Sequence, residues 1–254
     1  IGEEYTVNGV YCYEYNGAGY TEVYEGRKML VIPSNLGITT FGYPVAETEG
    51  IFEGHTGFDT VIIPEGTTTL GNRCFADSSV RRVYLPSTLI NIASGAFDGC
   101  EALEEIYWYD ASEDSTSGIV YDPDNNTYNW DKFFASTGAR VETTSQSLSL
   151  GSYAFRGCAN LSVMDFAAIT AVYDGVFEGC AKITQADLSD VRYSGDGVFE
   201  NCTNLAQVTL SAQTEIGSRM FAGTAVKEIE YLASILPAAA LEDMPALETV
   251  VFKG

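Results

Sequence analysis

Cysteine and histidine are the residues whose spacing most often announces chemistry, so their placement is the first question. Four of the six cysteines, Cys100, Cys158, Cys180 and Cys202, each stand three residues after a phenylalanine: Phe97, Phe155, Phe177 and Phe199. The only histidine, His55, stands at the same offset from Phe52. A metal site would need closely spaced cysteine and histidine ligands, and a nucleophile would need a histidine partner. Neither is present, so no metal, cofactor or catalytic set is assigned. Equivalent residues of a repeat project in one direction, whereas a disulfide needs converging side chains. The four thiols are therefore expected to be free and buried, as a small apolar residue would be. Cys12 and Cys74 lie off this ladder, and a bond between them stays open.

The remaining chemistry is that of binding. Arg82, Tyr84 and Tyr107 fall between apolar strand positions and point to the outer face of a sheet, where aromatic and arginine side chains form typical hot spots. A second group is Tyr121, Tyr128 and Trp130, a candidate stacking platform for sugars. It sits among Asp110, Glu113, Asp114, Asp122, Asp124 and Asp131. Asp122-Pro123-Asp124-Asn125-Asn126 resembles the start of a calcium loop, but the glycine at its sixth place and the glutamate at its twelfth are missing. With 35 acidic residues a pair of glycosidase carboxylates is always conceivable, yet repetition singles out no two. An enzyme is the weaker alternative.

These residues ride on a repeat. The phenylalanines fall at 52, 75, 97, 155, 177, 199 and 221, with Leu241 in the same role, mostly 22 residues apart. Such a period means a solenoid whose units bury their apolar faces on one another. The 58-residue step from Phe97 to Phe155 is expected to hold an insertion within 109–132 and a degenerate rung around 133–147, marked by Phe133. Within a unit, Leu205-Ala206-Gln207-Val208-Thr209-Leu210 ends in the alternation of a half-buried strand. Ile216-Gly217-Ser218-Arg219-Met220-Phe221-Ala222-Gly223 suits a short helical turn closed by a left-handed residue. The expectation is an α/β repeat solenoid of strand–turn–short-helix units with a parallel sheet. Tyr11, Tyr13 and Tyr15 between Asn8-Gly9 and Asn16-Gly17 predict a β-hairpin cap over residues 1–40, with the solenoid over 41–254.

The pattern Phe199-x-x-Cys202-x-x-Leu205-x-x-Val208-x-Leu210, with Ile216-Gly217 and Phe221-x-Gly223-Thr224, resembles the BspA-type leucine-rich repeat over about residues 41–254. Val7-Asn8-Gly9-Val10-Tyr11, Val31-Ile32-Pro33 and Tyr43-Pro44-Val45 are similar to the lead-in of such proteins from gut Bacteroidetes. The resemblance implies a right-handed leucine-rich-repeat-like stack at a bacterial cell surface or outside the cell, with an export signal that is not in this sequence. It also implies an adhesin-like module whose partner is a host extracellular-matrix protein, a glycan or another surface protein. A passive spacer on the cell surface is the alternative.

Charge narrows the partners. Thirteen basic against 35 acidic residues give a net charge of −22, which repels a phosphate backbone, and no basic stripe reverses it locally. Nucleic acids are excluded as partners and anionic lipid surfaces are disfavoured. No run of 18 apolar residues occurs, so no segment is expected to insert into a membrane as a helix.

Overall fold

The alternation of apolar and polar residues builds two walls of parallel strands around a shared core. The computed structural model describes residues 4–7, 10–13, 21–24, 27–31, 39–42, 50–109, 121–122, 127–128, 133, 147–167, 169–231, 236–237 and 239–253; for 4–24, 31, 121–122 and 127–128 it describes the backbone only. The first wall contains Arg27–Val31, Thr60–Ile62, Arg82–Pro86 and Glu105–Tyr109 in parallel, with Thr21–Tyr24 added antiparallel at the edge. Val61, Val83 and Ile106 lie in register and point inward, all buried. The second wall runs through Thr40–Phe41, Thr69–Leu70, Asn91–Ile92, Leu148–Leu150, Ile169–Val172 and Tyr193–Ser194. Farther along, the first wall continues as two separate pairs, Gln185–Leu188 with Gln207–Leu210 and Glu228–Tyr231 with Thr249–Phe252. Earlier in the chain Glu4–Val7 and Val10–Tyr13 pair antiparallel as a separate two-stranded sheet.

The segment around each phenylalanine departs from expectation. The sequence predicts a short helical turn there, but these segments form turns and no helix. The reason lies in how the amides are shared. Cys74, Ala76 and Ser78 donate to carbonyls three residues back, while Arg73, Phe75 and Asp77 donate to Ser94, Ala96 and Asp98 of the next rung at 2.7–3.1 Å. Half of the amides thus leave the segment, and an uninterrupted i to i−4 ladder cannot close. This alternation turns Arg73 (φ 50°) and Asp77 (φ 55°) left-handed; in the next rung glycines, Gly95 and Gly99, supply the same geometry without a Cβ penalty. The turns make a third wall, tied rung to rung like the sheets.

Between the walls the phenylalanines form a column. Phe97 stacks on Phe75 and Phe155, each at 5.3 Å, and Phe177 stacks on Phe155 at 5.6 Å and Phe199 at 5.2 Å, with planes within 15°. Every one of these rings is fully buried. Phe155 therefore follows Phe97 directly, and Leu148–Leu150 pairs with Asn91–Ile92. Phe133 does not mark a rung in the column. It is buried instead against Tyr84 (5.4 Å) and Tyr109 (5.2 Å). The rest of the expected rung, 134–146, lies outside the described residues. The long step is one rung whose connection between its two walls has been extended.

The repeated cysteine serves the same stack. Cys100 donates its thiol to the Phe75 carbonyl (2.9 Å), Cys158 to Phe97 (3.2 Å), Cys180 to Phe155 (3.1 Å) and Cys202 to Phe177 (3.0 Å). All four are buried and free, as is Cys74, so Cys74 forms no bond with Cys12. Burial pushes the thiol of Cys100 up to about 11 and that of Cys202 up to about 12, with those of Cys158 and Cys180 also raised.

Two consequences can be measured. Phe177→Ala, which opens a void between two stacked rings, is expected to cost about 3–5 kcal/mol in urea unfolding, whereas a loss under about 1 kcal/mol would show that the column is not the core. The thiols also set a pH dependence. Below the ordinary thiol pKa of about 8.5 both states are protonated and the thiol contribution is whole. Above it the unfolded chain ionises while the folded chain holds its protons, so stability falls as pH climbs towards about 11 and 12. The urea midpoint is expected to fall less steeply with alkali in Cys100→Ala/Cys202→Ala; equal slopes would remove the thiols as the cause.

Candidate functional site

The outward face of the first wall carries the residues that the sequence singles out, and the structure treats its two halves differently. In the half nearer the N-terminus, Thr60 and Ile62 are fully buried although they point away from the core. Tyr84 is 3% exposed, stacked on Tyr107 at 5.4 Å and covered by the edge of Phe133. Burial pushes its phenol up to about 12. Tyr107 is half-buried, and Arg82 holds Glu105 at 2.6 Å, with Glu104 at 3.9 Å. Tyr109 donates its hydroxyl to the Ile63 carbonyl, which fastens the start of the extended connection to the sheet. The three predicted residues are thus brought together, but Tyr84 is enclosed rather than presented. An aromatic cluster on a sheet face is apolar surface, and the insertion seats an apolar ring on it.

The platform predicted in the insertion is only partly described. Tyr121–Asp122 and Thr127–Tyr128 pair antiparallel, Tyr121 opposite Tyr128, which are not neighbours on one strand but partners across a hairpin. Trp130 lies outside the described residues. His55 is half-buried beside Phe52 (5.6 Å) and Phe58 (6.4 Å), which also meet each other at 5.6 Å, a packing position in the first turns of the column.

The far half of the same face is open. Val163, Asp165, Gln185, Asp187, Gln207, Thr209, Glu228 and Glu230 are all exposed on their rungs. Between Asp165 and Asp187 the wall is interrupted, because Val163 bridges Glu105 but Gln185–Leu188 pairs only with Gln207–Leu210. Asp165 bonds the amide of Ala167 (2.9 Å) and Asp187 that of Ser189 (3.1 Å), so each carboxylate is held by its own turn. A groove of about 430 Å³ opens at the gap. Its floor includes Met164, Phe166 and Ala186, and Asp165, Asp187 and Gln207 stand at its rim.

A further cluster was not legible as a site from sequence. Tyr153, Tyr173 and Tyr193 are 40%, 43% and 44% exposed on successive rungs, with Tyr173 and Tyr193 ring centroids 5.1 Å apart. The guanidinium of Arg156 lies 4.7 Å from the centre of the Tyr153 ring and is anchored by Asp98 at 2.6 and 2.9 Å. Asp98 also takes Arg73, which reaches back to Glu53 at 2.6 Å, so the turn wall carries a continuous ionic chain. These arginines are about two-fifths exposed, and each such pair contributes about 0–1 kcal/mol. A sequence signal for the tyrosines existed. In the column of Tyr173 other rungs carry Gly71, Ala93, Gly151, Gly195 and Gly217, so a bulky ring there serves no repeat.

This architecture is shared with known proteins. A family model described as BspA type leucine rich repeat region matches six copies, over residues 48–121 and 131–243. A leucine rich cell surface protein from Faecalibacterium prausnitzii is similar over 99% of this chain and 55% of its own, at 17% identity and a TM-score of 0.60. A leucine-rich repeat protein from Eubacterium ventriosum is 20% identical over 79% of this chain and 56% of its own (TM-score 0.45). One from T. pallidum is 23% identical over 77% of this chain and 75% of its own (TM-score 0.48). At these identities the likeness is one of fold, and the chain spans about 55% of the length of the Faecalibacterium protein. No curated protein matches it.

Proposed function

The chain belongs to the BspA-type leucine-rich repeat family, and from that premise we propose that it is a secreted or cell-surface recognition module that binds a macromolecular partner on the outward face of its first wall. The partner class is an extracellular protein or a glycan. One observation carries the reading. On the paired strands Gln185–Leu188 and Gln207–Leu210 the outward side chains are exposed and held in register, Gln185 beside Gln207 and Asp187 beside Thr209. Polar groups fixed at about 4.8 Å intervals offer a partner a grid that loses little side-chain entropy on binding. The earlier rungs do not compete for this role, since Tyr84 is enclosed. A binding surface fits the site better than catalysis, because Asp165 and Asp187 bond their own turns and His55 lies on the Phe52 rung, away from the groove. The surface location rests on the family and on the name of the Faecalibacterium protein.

The test is binding to immobilised fibronectin, fibrinogen, mucin and neutral polysaccharides, with and without calcium. Gln185→Ala/Asp187→Ala/Gln207→Ala is expected to lose about tenfold or more in affinity, roughly 1.4 kcal/mol. Arg82→Ala/Tyr107→Ala is expected to bind within about twofold of the parent. The reverse ranking would move the site to the covered half, and no saturable binding to any of them would sink the proposal.

A further inference from the structure

The diagonal of exposed tyrosines lies on another part of the surface from the face discussed above. Tyr193 pairs in register with Ala171 on the second wall, and Tyr173 follows that wall's strand directly. The side chains are not needed by the repeat. The column of Tyr193 holds Asn91, Ser149 and Ala171 on earlier rungs, and small residues fill the column of Tyr173. Exposing three large rings on one diagonal leaves apolar surface in water, which the fold elsewhere avoids by covering Tyr84.

The same patch shows what its rings accept. On Tyr153 an arginine from the chain itself lies 4.7 Å from the ring centre, flanked by the Asp98 carboxylate that holds it. Glu178 stands near that ring as well, since both would meet a Cβ added at Gly175. A ring, a guanidinium and a carboxylate make up the unit, and a cation over an aromatic face gains about 0.5–1 kcal/mol when exposed and more when desolvated. One step along the diagonal two parts of the unit recur. Tyr173 and Tyr193 lie ring to ring, exposed Asp174 follows Tyr173 and bonds the amide of Asp196 at 2.9 Å, and exposed Glu215 stands opposite Tyr193 through a backbone β-bridge on the next rung. Among the described residues no cation is stacked on these two rings, and exposed Arg192 precedes Tyr193 in the chain. The rest of the molecule adds to the attraction, with a net charge of −22.

We propose that the Tyr173–Tyr193 pair is a docking surface for a cationic, arginine-bearing segment of a partner protein, whose guanidinium takes on these rings the place that Arg156 takes on Tyr153. The rings supply the stacking face, and Asp174, Asp196 and Glu215 supply the compensating charge. Arginine fits better than lysine because a planar guanidinium stacks on an aromatic face and reaches a carboxylate with its edge.

The test uses a linear peptide of alternating arginine and glycine and the same peptide with citrulline, which has arginine's shape without its charge. Tyr173→Ala/Tyr193→Ser introduces residue types like those that neighbouring rungs carry in these columns, so the parent's thermal midpoint is expected to be kept. The full chain is expected to bind the arginine peptide saturably and the citrulline peptide about tenfold or more weaker. The double variant is expected to lose about tenfold in affinity for the arginine peptide. Glu101→Gln, which removes one exposed carboxylate on the rung of Phe97, is expected to bind as the parent does. Independently of any variant, bound arginine peptide is expected to slow nitration of Tyr173 and Tyr193, read by mass spectrometry. Equal affinity of parent and double variant would overturn the proposal, leaving diffuse attraction to an acidic chain. So would loss in the double variant of binding to a neutral polysaccharide with no binding of the arginine peptide by the parent, which would make the surface a sugar platform. Both results concern residues outside the first wall and leave the reading of Gln185, Asp187 and Gln207 to its own experiment.

Discussion

The column of stacked phenylalanines is the constraint on which the rest of the structure depends. Each ring lies 5.2–6.0 Å from the next along Phe75 to Phe221, so the aromatic spacing and the spacing of the hydrogen-bonded walls have to agree. A rung set by strand pairing alone would advance about 4.8 Å. The rings settle slightly farther apart, and the turn wall adapts by alternating local and rung-to-rung amides. The cysteine thiols fill a related need. Each phenylalanine carbonyl already accepts a local amide, as Phe97 does from Cys100 at 3.1 Å, and the thiol of the following rung satisfies its second lone pair. A side chain that looked like redox chemistry is a small donor to the backbone of the stack.

Because the column and the three walls hold the molecule together from inside, outward positions are free to differ from rung to rung. They do so in blocks. On the first wall the rungs of Thr60, Tyr84 and Tyr107 carry apolar and aromatic groups and are covered, whereas those of Asp187, Thr209 and Glu230 are polar and open. The insertion arises where the covered block ends, at Tyr109. A solenoid is nearly one-dimensional, and an extended connection is one way for it to shelter apolar side surface without changing the repeat. The acidic, open block is what remains available to a partner. The three exposed tyrosines run from the turn wall at Tyr153 onto the second wall at Tyr193, and other rungs carry glycine, alanine or small polar residues in the columns of Tyr173 and Tyr193.

The repeat itself, the free cysteines and the parallel strands are determined by the sequence alone, because all three follow from local spacing. A phenylalanine every 22 residues with a cysteine three places later admits one way of stacking, and the period-2 runs admit one buried side. What tertiary structure decided are the questions that spacing does not reach. Whether Phe133 joins the column or leaves it depends on which surface is free to receive a ring, and Tyr84 and Tyr109 offered one. Whether the turn residues close a helix depends on the carbonyls of the next rung, which capture alternate amides. Tyr84 and Tyr173 are both tyrosines on outward positions, and only the fold makes one buried and the other exposed. Exposure is a property of what packs above a side chain, and in this molecule the covering group comes from about 50 residues away in the chain, far beyond the reach of any local pattern.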